Sequence, residues 1–78
     1  MNLREAKESV QRGARWLFIR QRDPWTFVQA FYSVGWHSRW GYGWSKRMWR
    51  DKPNPELGLE IAKGRAIADI ARQLVKEG

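Results

Sequence analysis

The stretch WTFVQAFYSVGWHSRWGYGWSKRMW, residues 25–49, decides the fold, because it is rich in the aromatic and β-branched residues that favour strands. Side chains of a strand alternate between two faces. This alternation divides the first half into two sets: Val28, Ala30, Tyr32 and Val34 on one face, and Phe27, Gln29, Phe31 and Ser33 on the other. The segment WHSRWG, residues 36–41, is predicted as the turn, longer than the tightest hairpin loops. Residues 25–36 and 42–49 are therefore predicted to form an antiparallel β-hairpin.

Residues 2–13, which precede the hairpin, are predicted to form a helix. Asn2 is a good N-cap, and Glu5 follows three residues later, as in a capping box. Apolar residues then recur at helical spacing. The segment RWLFIRQR, residues 15–22, continues the same stripe and is predicted to extend the helix, with a short strand as the alternative. Asp23-Pro24 ends whichever element precedes it.

The last part of the chain has the clearest helix signals. Asn54 can cap the N-terminus, Pro55 suits the first helical position, and Glu56 lies at the positive end of the helix dipole. A wide apolar face then predicts a helix over about residues 55–76. Gly64 weakens this helix by roughly 1 kcal/mol relative to Ala, so it is predicted to mark a close packing contact.

Together these elements predict one small α+β domain over residues 1–78. An N-terminal helix precedes the hairpin, to which a third strand can be added, and the long C-terminal helix packs on the hairpin. Residues 50–55, RDKPNP, contain two prolines and form the linker before that helix. The helix must cover one face of the hairpin, because an isolated hairpin is marginally stable in water.

The composition restricts the class of protein and the kind of partner. The net charge is +7, from 15 Lys and Arg against 8 Asp and Glu, which favours an anionic partner such as nucleic acid. The chain has no Cys, so a disulfide or a thiolate metal site is excluded. No apolar run reaches the roughly 20 residues of a membrane span. A cytoplasmic protein is therefore expected.

The sequence does not favour an enzyme. It contains one histidine, His37, which is predicted to lie in the turn at the surface. No pair of carboxylates lies close together in a predicted strand or loop, and converging ligands for a metal are lacking. We therefore expect no catalytic residue, no metal and no cofactor.

The segment YGWSKRMWRDKPNPELGLEIAKGRA, residues 42–66, resembles a group of small proteins encoded by tailed bacteriophages and prophages. The shared block has Gly-x-Ser in a strand, then an Asp, and then glycines around Ile-Ala and Gly-Arg-Ala in a helix. Here those positions are Gly43, Ser45, Asp51, Gly58, Ile61, Ala62, Gly64, Arg65 and Ala66. The resemblance implies a strand–loop–helix unit and an origin in a mobile element. It implies no activity.

The aromatic and basic residues around the hairpin are the candidate binding site. Rings flanked by cations hold single-stranded nucleic acids, because bases stack on the rings while cations follow the phosphates. A basic two-stranded ribbon can also enter the major groove of a duplex. Trp40, Tyr42 and Trp44 alternate along one strand and are predicted to share a face. The alternative to a binding role is that one aromatic row packs under the C-terminal helix. The candidate residues are Arg39, Trp40, Tyr42, Trp44, Lys46, Arg47, Trp49, Arg50 and Lys52, with Arg15 and Arg22 as a second phosphate-contacting edge.

The leading hypothesis is a non-enzymatic protein that binds DNA or RNA. The second hypothesis is a phage-encoded modulator that binds and inhibits a host enzyme or defence complex, since Trp, Tyr and Arg are enriched at interface hot spots. An exposed edge strand of the hairpin also suggests a homodimer. The ion pair predicted between Arg65 and Asp69, four residues apart on the last helix, is structural in either case.

Overall fold

The computed structural model describes residues 2–48 and 52–77 and confirms an α+β fold. The strands form one antiparallel sheet in the order β1-β2-β3, and both helices pack on the same face of it. The elements along the chain are α1 (Leu3–Gly13), β1 (Arg15–Arg22), β2 (Trp25–Val34), β3 (His37–Lys46) and α2 (Pro55–Glu77). Within the described residues, neither helix has the length and hydropathy that a membrane crossing requires.

The prediction that residues 15–22 extend the first helix is wrong, because this segment is strand β1. Helix α1 ends at Gly13, and the extended Ala14 donates its backbone N–H to Val10 O over 2.7 Å. Strand β1 then pairs with β2 along its whole length, except that Leu17 has no partner. This irregularity places Trp16 and Ile19, three residues apart, on the same face of the sheet. In the sequence the spacing of these two residues imitates the period of a helix.

The sheet therefore has three strands rather than the two of the predicted hairpin, and its second turn is tighter than expected. Val34 pairs with His37 across a two-residue turn in which Gly35 has a φ of 57°. Glycine adopts this left-handed conformation without the steric cost that a side chain brings. Residues 37–41, which were predicted to lie in the turn, belong to β3. The turn between β1 and β2 contains a cis peptide bond at Asp23-Pro24.

Helix α2 lies closely against β3 because both surfaces carry small residues. Ala62 and Ala66 are fully buried and face Gly41 and Gly43 of the strand. A Cβ added to Gly43 would lie 1.9 Å from the carbonyl oxygen of Ala62, so a side chain cannot be accommodated there. The close contact predicted at Gly64 is wrong, since a Cβ at that position meets nothing within 4 Å.

Polar caps fix the start of both helices, as predicted. The side chain of Asn2 accepts a hydrogen bond from the N–H of Glu5 over 2.9 Å. The side chain of Asn54 accepts one from the N–H of Leu57 over 3.1 Å. Each bond satisfies one of the backbone donors that a helix leaves free in its first turn. The core that both helices cover includes Val10, Val28, Ala30, Tyr32 and Ile70.

Candidate nucleic-acid interface

The face of the sheet that carries no helix is lined by aromatic and basic side chains, and we refer to it as the open face. Its members follow from the burial of β2, in which Thr26, Val28, Ala30 and Tyr32 are buried against the helices while the intervening residues point away. Partners across an antiparallel pair share a face. The register therefore assigns to the open face Arg15, Phe18, Arg20, Arg22, Trp25, Phe27, Gln29, Phe31, Ser33, Ser38, Trp40, Tyr42, Trp44 and Lys46.

The aromatic side chains of the open face are in contact with one another yet accessible to solvent. Trp40, Tyr42 and Trp44 keep 48%, 51% and 53% of their surface exposed, so these three rings are not the row that packs under α2. Neighbouring rings on β2 and β3 have centroids 5.3–6.0 Å apart and are tilted relative to each other. Such contacts fix ring orientation while leaving part of each ring free.

The cations of the open face are concentrated on β1. Arg15, Arg20 and Arg22 are all exposed and lie beside rings of β2. Lys46 extends over the ring of Trp25 with its ammonium nitrogen 5.1 Å from the centroid. None of the side chains that the register places on this face is a carboxylate. The net charge of the open face is therefore positive, and most of that charge lies along β1.

The outer edge of β3 is occupied by side chains of α2. Asp69 accepts a hydrogen bond from the N–H of Tyr42 over 3.0 Å. Arg65 donates to the carbonyl oxygen of Trp44 over 2.7 Å, and Gln73 donates to that of Trp40 over 2.9 Å. Arg65 and Asp69 thus bind strand backbone instead of forming the predicted ion pair. Because these side chains bond three backbone groups along the outer edge of β3, they hinder its pairing with another strand.

Several candidate residues from the sequence lie away from the open face. Arg39 is on the helix-covered side, where it forms an ion pair with Glu77 near the end of α2. Arg47 follows β3 and donates to both carboxylate oxygens of Asp23, over 2.8 and 2.6 Å. This hydrogen bonding holds the pKa of the Asp23 carboxyl below its ordinary value. Lys52 is exposed beyond the sheet.

Two further candidates, Trp49 and Arg50, lie outside the described residues, as does Asp51 of the resembling block. The open face itself brings together the remaining ones, namely Arg15, Arg22, Trp40, Tyr42, Trp44 and Lys46.

Sequence reasoning missed about half of the open face. Phe18 and Arg20 were missed because β1 was taken for a helix, although the alternation of Phe18, Arg20 and Arg22 is the signal of a strand. Trp25, Phe27 and Phe31 were not singled out, although they are on the same strand face; the sequence does not show which face the helix covers.

A separate groove of about 910 Å³ lies between the end of the sheet and the start of α2. Its polar walls include Thr26 and Ser45, and the hydroxyl of Ser45 donates to Gly58 O over 2.8 Å. Every buried side-chain nitrogen or oxygen among the described residues has a hydrogen-bond partner. In the same part of the chain, no three of its His, Asp and Glu residues converge as metal ligands would.

The fold and the open face define a small α+β protein in which a three-stranded sheet is covered by helices on one side and carries exposed rings and cations on the other. The model of the Rv2632c-like family matches residues 17–78, and the chain belongs to that family. The crystal structure of Rv2632c is similar, with a TM-score of 0.69 and 28% sequence identity over 82% of this chain and 77% of that one. A search of the curated proteins finds no significant match.

Proposed function

We propose that this protein binds nucleic acid, DNA or RNA, through the open face and without catalysing a reaction. One observation carries the proposal: among the residues that the structure describes, seven rings and four cations, but no carboxylate, share a sheet face that no helix covers. Arg guanidinium groups form paired hydrogen bonds to phosphate oxygens, and bases stack on exposed aromatic rings.

The exposure of the rings supports a binding role rather than a role in the core. Phe18, Trp25, Trp40, Tyr42 and Trp44 each expose between 46% and 53% of their surface. A small protein rarely leaves a contiguous apolar patch in water unless the patch meets a partner. The surrounding cations indicate that this partner is anionic.

Titration of short DNA and RNA oligonucleotides, followed by tryptophan fluorescence at several salt concentrations, tests the proposal. The three tryptophans of the open face are expected to be quenched by stacked bases, and the affinity is expected to fall as salt rises, because bound phosphates release counterions. If no oligonucleotide binds at low salt, the proposed function is wrong.

The phage or mobile-element origin belongs to the same proposal and is supported by the resemblance of residues 42–66 alone. Within that block, Gly43 packs on Ala62 and Ala66, and Ser45 binds Gly58. The block therefore includes a packing unit between β3 and α2. The expected cytoplasmic location, in the host cell if a phage encodes the protein, rests on the same resemblance and on the composition.

A second candidate function is binding to a host enzyme or defence complex. Trp36 favours it, since this ring is 99% exposed at the tip of the turn between β2 and β3. Tryptophan is the residue most enriched at interface hot spots. Capture from a nuclease-treated host lysate separates the two functions. A host protein retained by the parent but lost with Trp36→Ala supports this candidate, whereas capture that depends on intact nucleic acid supports the first.

The homodimer predicted through a hairpin edge remains a proposal, and the structure limits the edge it can use. Side chains of α2 occupy the edge of β3, which leaves β1. Pairing of two β1 strands brings their arginines close together, and like charges on neighbouring strands are destabilising. Sedimentation equilibrium, at low and high salt, measures whether such a dimer forms.

A further inference from the structure

We propose that the open face binds a single strand of nucleic acid, with its phosphates along β1 and its bases on the rings of β2 and β3. This inference rests on the proposed function and adds to it the strandedness of the ligand and the sides of the open face on which its phosphates and bases lie.

The cations define the phosphate side. Arg15, Arg20 and Arg22 lie on β1 along one flank of the open face. The opposite flank is different, because the outer edge of β3 is bonded to one carboxylate and one guanidinium, those of Asp69 and Arg65, whose charges oppose each other. Phosphates are therefore attracted more strongly to the β1 flank, where three arginines share the face.

The rings define the base side. Residues two apart on a strand are about 6.8 Å apart, and they form successive rows across the sheet. Three of the rows begin with an arginine on β1 and continue with ring-bearing residues or Lys46 on the neighbouring strands: Arg15–Phe31–Trp40, Arg20–Phe27–Trp44 and Arg22–Trp25–Lys46. A row without a cation, Phe18–Gln29–Tyr42, lies between the first and the second of these. A nucleotide that places its phosphate on the first residue of a row can extend its base over the second and third.

A depression at one end of the open face agrees with this placement of the phosphates and the bases. It has a volume of about 340 Å³ and is lined by Arg20, Arg22, Asp23, Trp25 and Phe27. The one acid in its lining, Asp23, is hydrogen-bonded to Arg47. The depression therefore combines two arginines with two rings, the pair of groups that a nucleotide requires.

A duplex fits this face poorly. The bases of a duplex are paired and stacked inside it, so their faces cannot reach the rings. A two-stranded ribbon can enter the major groove, which is about 12 Å wide. Here β2 is flanked by β1, and α2 lies over the other face of β2 and β3, so no two-stranded ribbon is free.

A second copy of the protein also fits poorly. Two open faces packed together would bring four cations from each copy into an interface without a carboxylate to pair with them. Burying unpaired charges in this way is costly.

Three probes test strandedness and orientation: a mixed-sequence DNA strand of about 12 nucleotides, which lies within the site sizes of single-strand binders, the same strand with abasic sites throughout, and its duplex. The parent protein is expected to bind the base-carrying strand most tightly. The slope of log K against log salt should be close to −2 for this strand, since three arginines contribute about −0.7 each.

Two substitutions, each with a matched control, separate the phosphate side from the base side. Arg20→Gln is expected to weaken binding of both the base-carrying and the abasic strand and to reduce the slope by about 0.7. Arg12→Gln, which removes an exposed arginine from α1, should leave the slope unchanged. Trp44→Leu is expected to weaken binding of the base-carrying strand alone, by about 5- to 150-fold. Trp36→Leu, which replaces the ring at the tip of the turn between β2 and β3, should leave the affinity for this strand unchanged. Circular dichroism establishes that each variant is folded.

Each contrary result overturns a defined part of the proposal. If the duplex binds as tightly as the single strand, the inference of a single strand is wrong while nucleic-acid binding stands. If Trp44→Leu weakens the abasic strand as much as the base-carrying strand, the bases do not lie over β3. If none of these probes binds at low salt, and an RNA strand of the same sequence does not bind either, the proposed function fails as well. A dimer that Trp44→Leu dissociates, seen by sedimentation, would place a second copy on the open face and overturn the whole proposal.

Discussion

Replacing Gly43 by alanine tests the close packing of α2 on β3. This packing places the helix on one face of the sheet and leaves the other face open. The added Cβ would lie 1.9 Å from Ala62 O and 2.5 Å from the backbone nitrogen of Ala66, whereas ordinary contacts begin near 3.4 Å. The helix must therefore move away from the strand by about 1.5 Å, because backbone atoms cannot rotate aside.

The size of the effect follows from that displacement. Overpacking a core costs typically 1–3 kcal/mol, and a clash with backbone belongs at the upper end, so we expect a loss of about 3 kcal/mol. A chain of this length has a free energy of unfolding of about 4–12 kcal/mol, so the loss is a large fraction of the total. In a domain of this size, each kcal/mol lowers Tm by about 4–8 °C, which gives a decrease of roughly 12–24 °C.

Gly64→Ala provides the matched control, because the same methyl group is added to the same protein at an open position. Gly64 is exposed within α2 and a Cβ there meets nothing within 4 Å. The higher helix propensity of alanine is therefore expected to raise stability by about 1 kcal/mol and Tm by about 4–8 °C. Far-UV circular dichroism during heating and in urea measures both variants. If Gly43→Ala unfolds at the temperature of the parent, α2 does not lie on Gly43 and the packing described here is wrong.

Three further substitutions test the caps and the polar contacts of the sheet. Asn54→Ala is expected to cost about 0.5–2 kcal/mol by thermal unfolding, because the N–H of Leu57 loses its acceptor; an unchanged Tm would contradict the cap. Asp69→Ala is expected to cost about 1 kcal/mol and to expose the Tyr42 N–H to rapid hydrogen exchange, whereas continued protection of that amide would show that Asp69 does not cover the edge. Asp23→Asn is expected to be less stable than the parent at neutral pH. Since the bond to Arg47 lowers the folded-state pKa of Asp23, its contribution is present above the unfolded-state pKa and is lost as the pH falls through the folded-state value. The difference in Tm between Asp23→Asn and the parent should therefore close below about pH 4, and a difference that persists in acid would refute the role of the carboxylate.

The sequence was sufficient to predict those elements whose signals are local. The caps at Asn2 and Asn54, the extent of α2 and the alternation of β2 all follow from neighbouring residues, and all appear in the structure. The alternation also predicted correctly that Trp40, Tyr42 and Trp44 share a face.

The errors occur where contacts distant in sequence decide the structure. The irregularity at Leu17 gives β1 a spacing that resembles a helix, and only pairing with β2 identifies it as a strand. Gly41 was predicted to lie in the turn, yet it is a residue of β3, and together with Gly43 it lets α2 approach the strand. Which aromatic row is exposed depends on that approach. For this reason the sequence could identify some residues of the open face but could not show that all of its residues lie together.

The most direct test of the proposed function is the salt dependence of binding to a single-stranded oligonucleotide of about 12 nucleotides, a length within the site sizes of single-strand binders. Affinities measured between about 50 and 200 mM salt give the number of phosphates that the protein neutralises. A slope near −2 that falls by about 0.7 in Arg20→Gln, but not in Arg12→Gln, is predicted if the arginines of β1 contact the phosphates. Absence of binding at the lowest salt, or a slope that Arg20→Gln and Arg12→Gln reduce equally, would contradict the proposal that the arginines of β1 contact the phosphates.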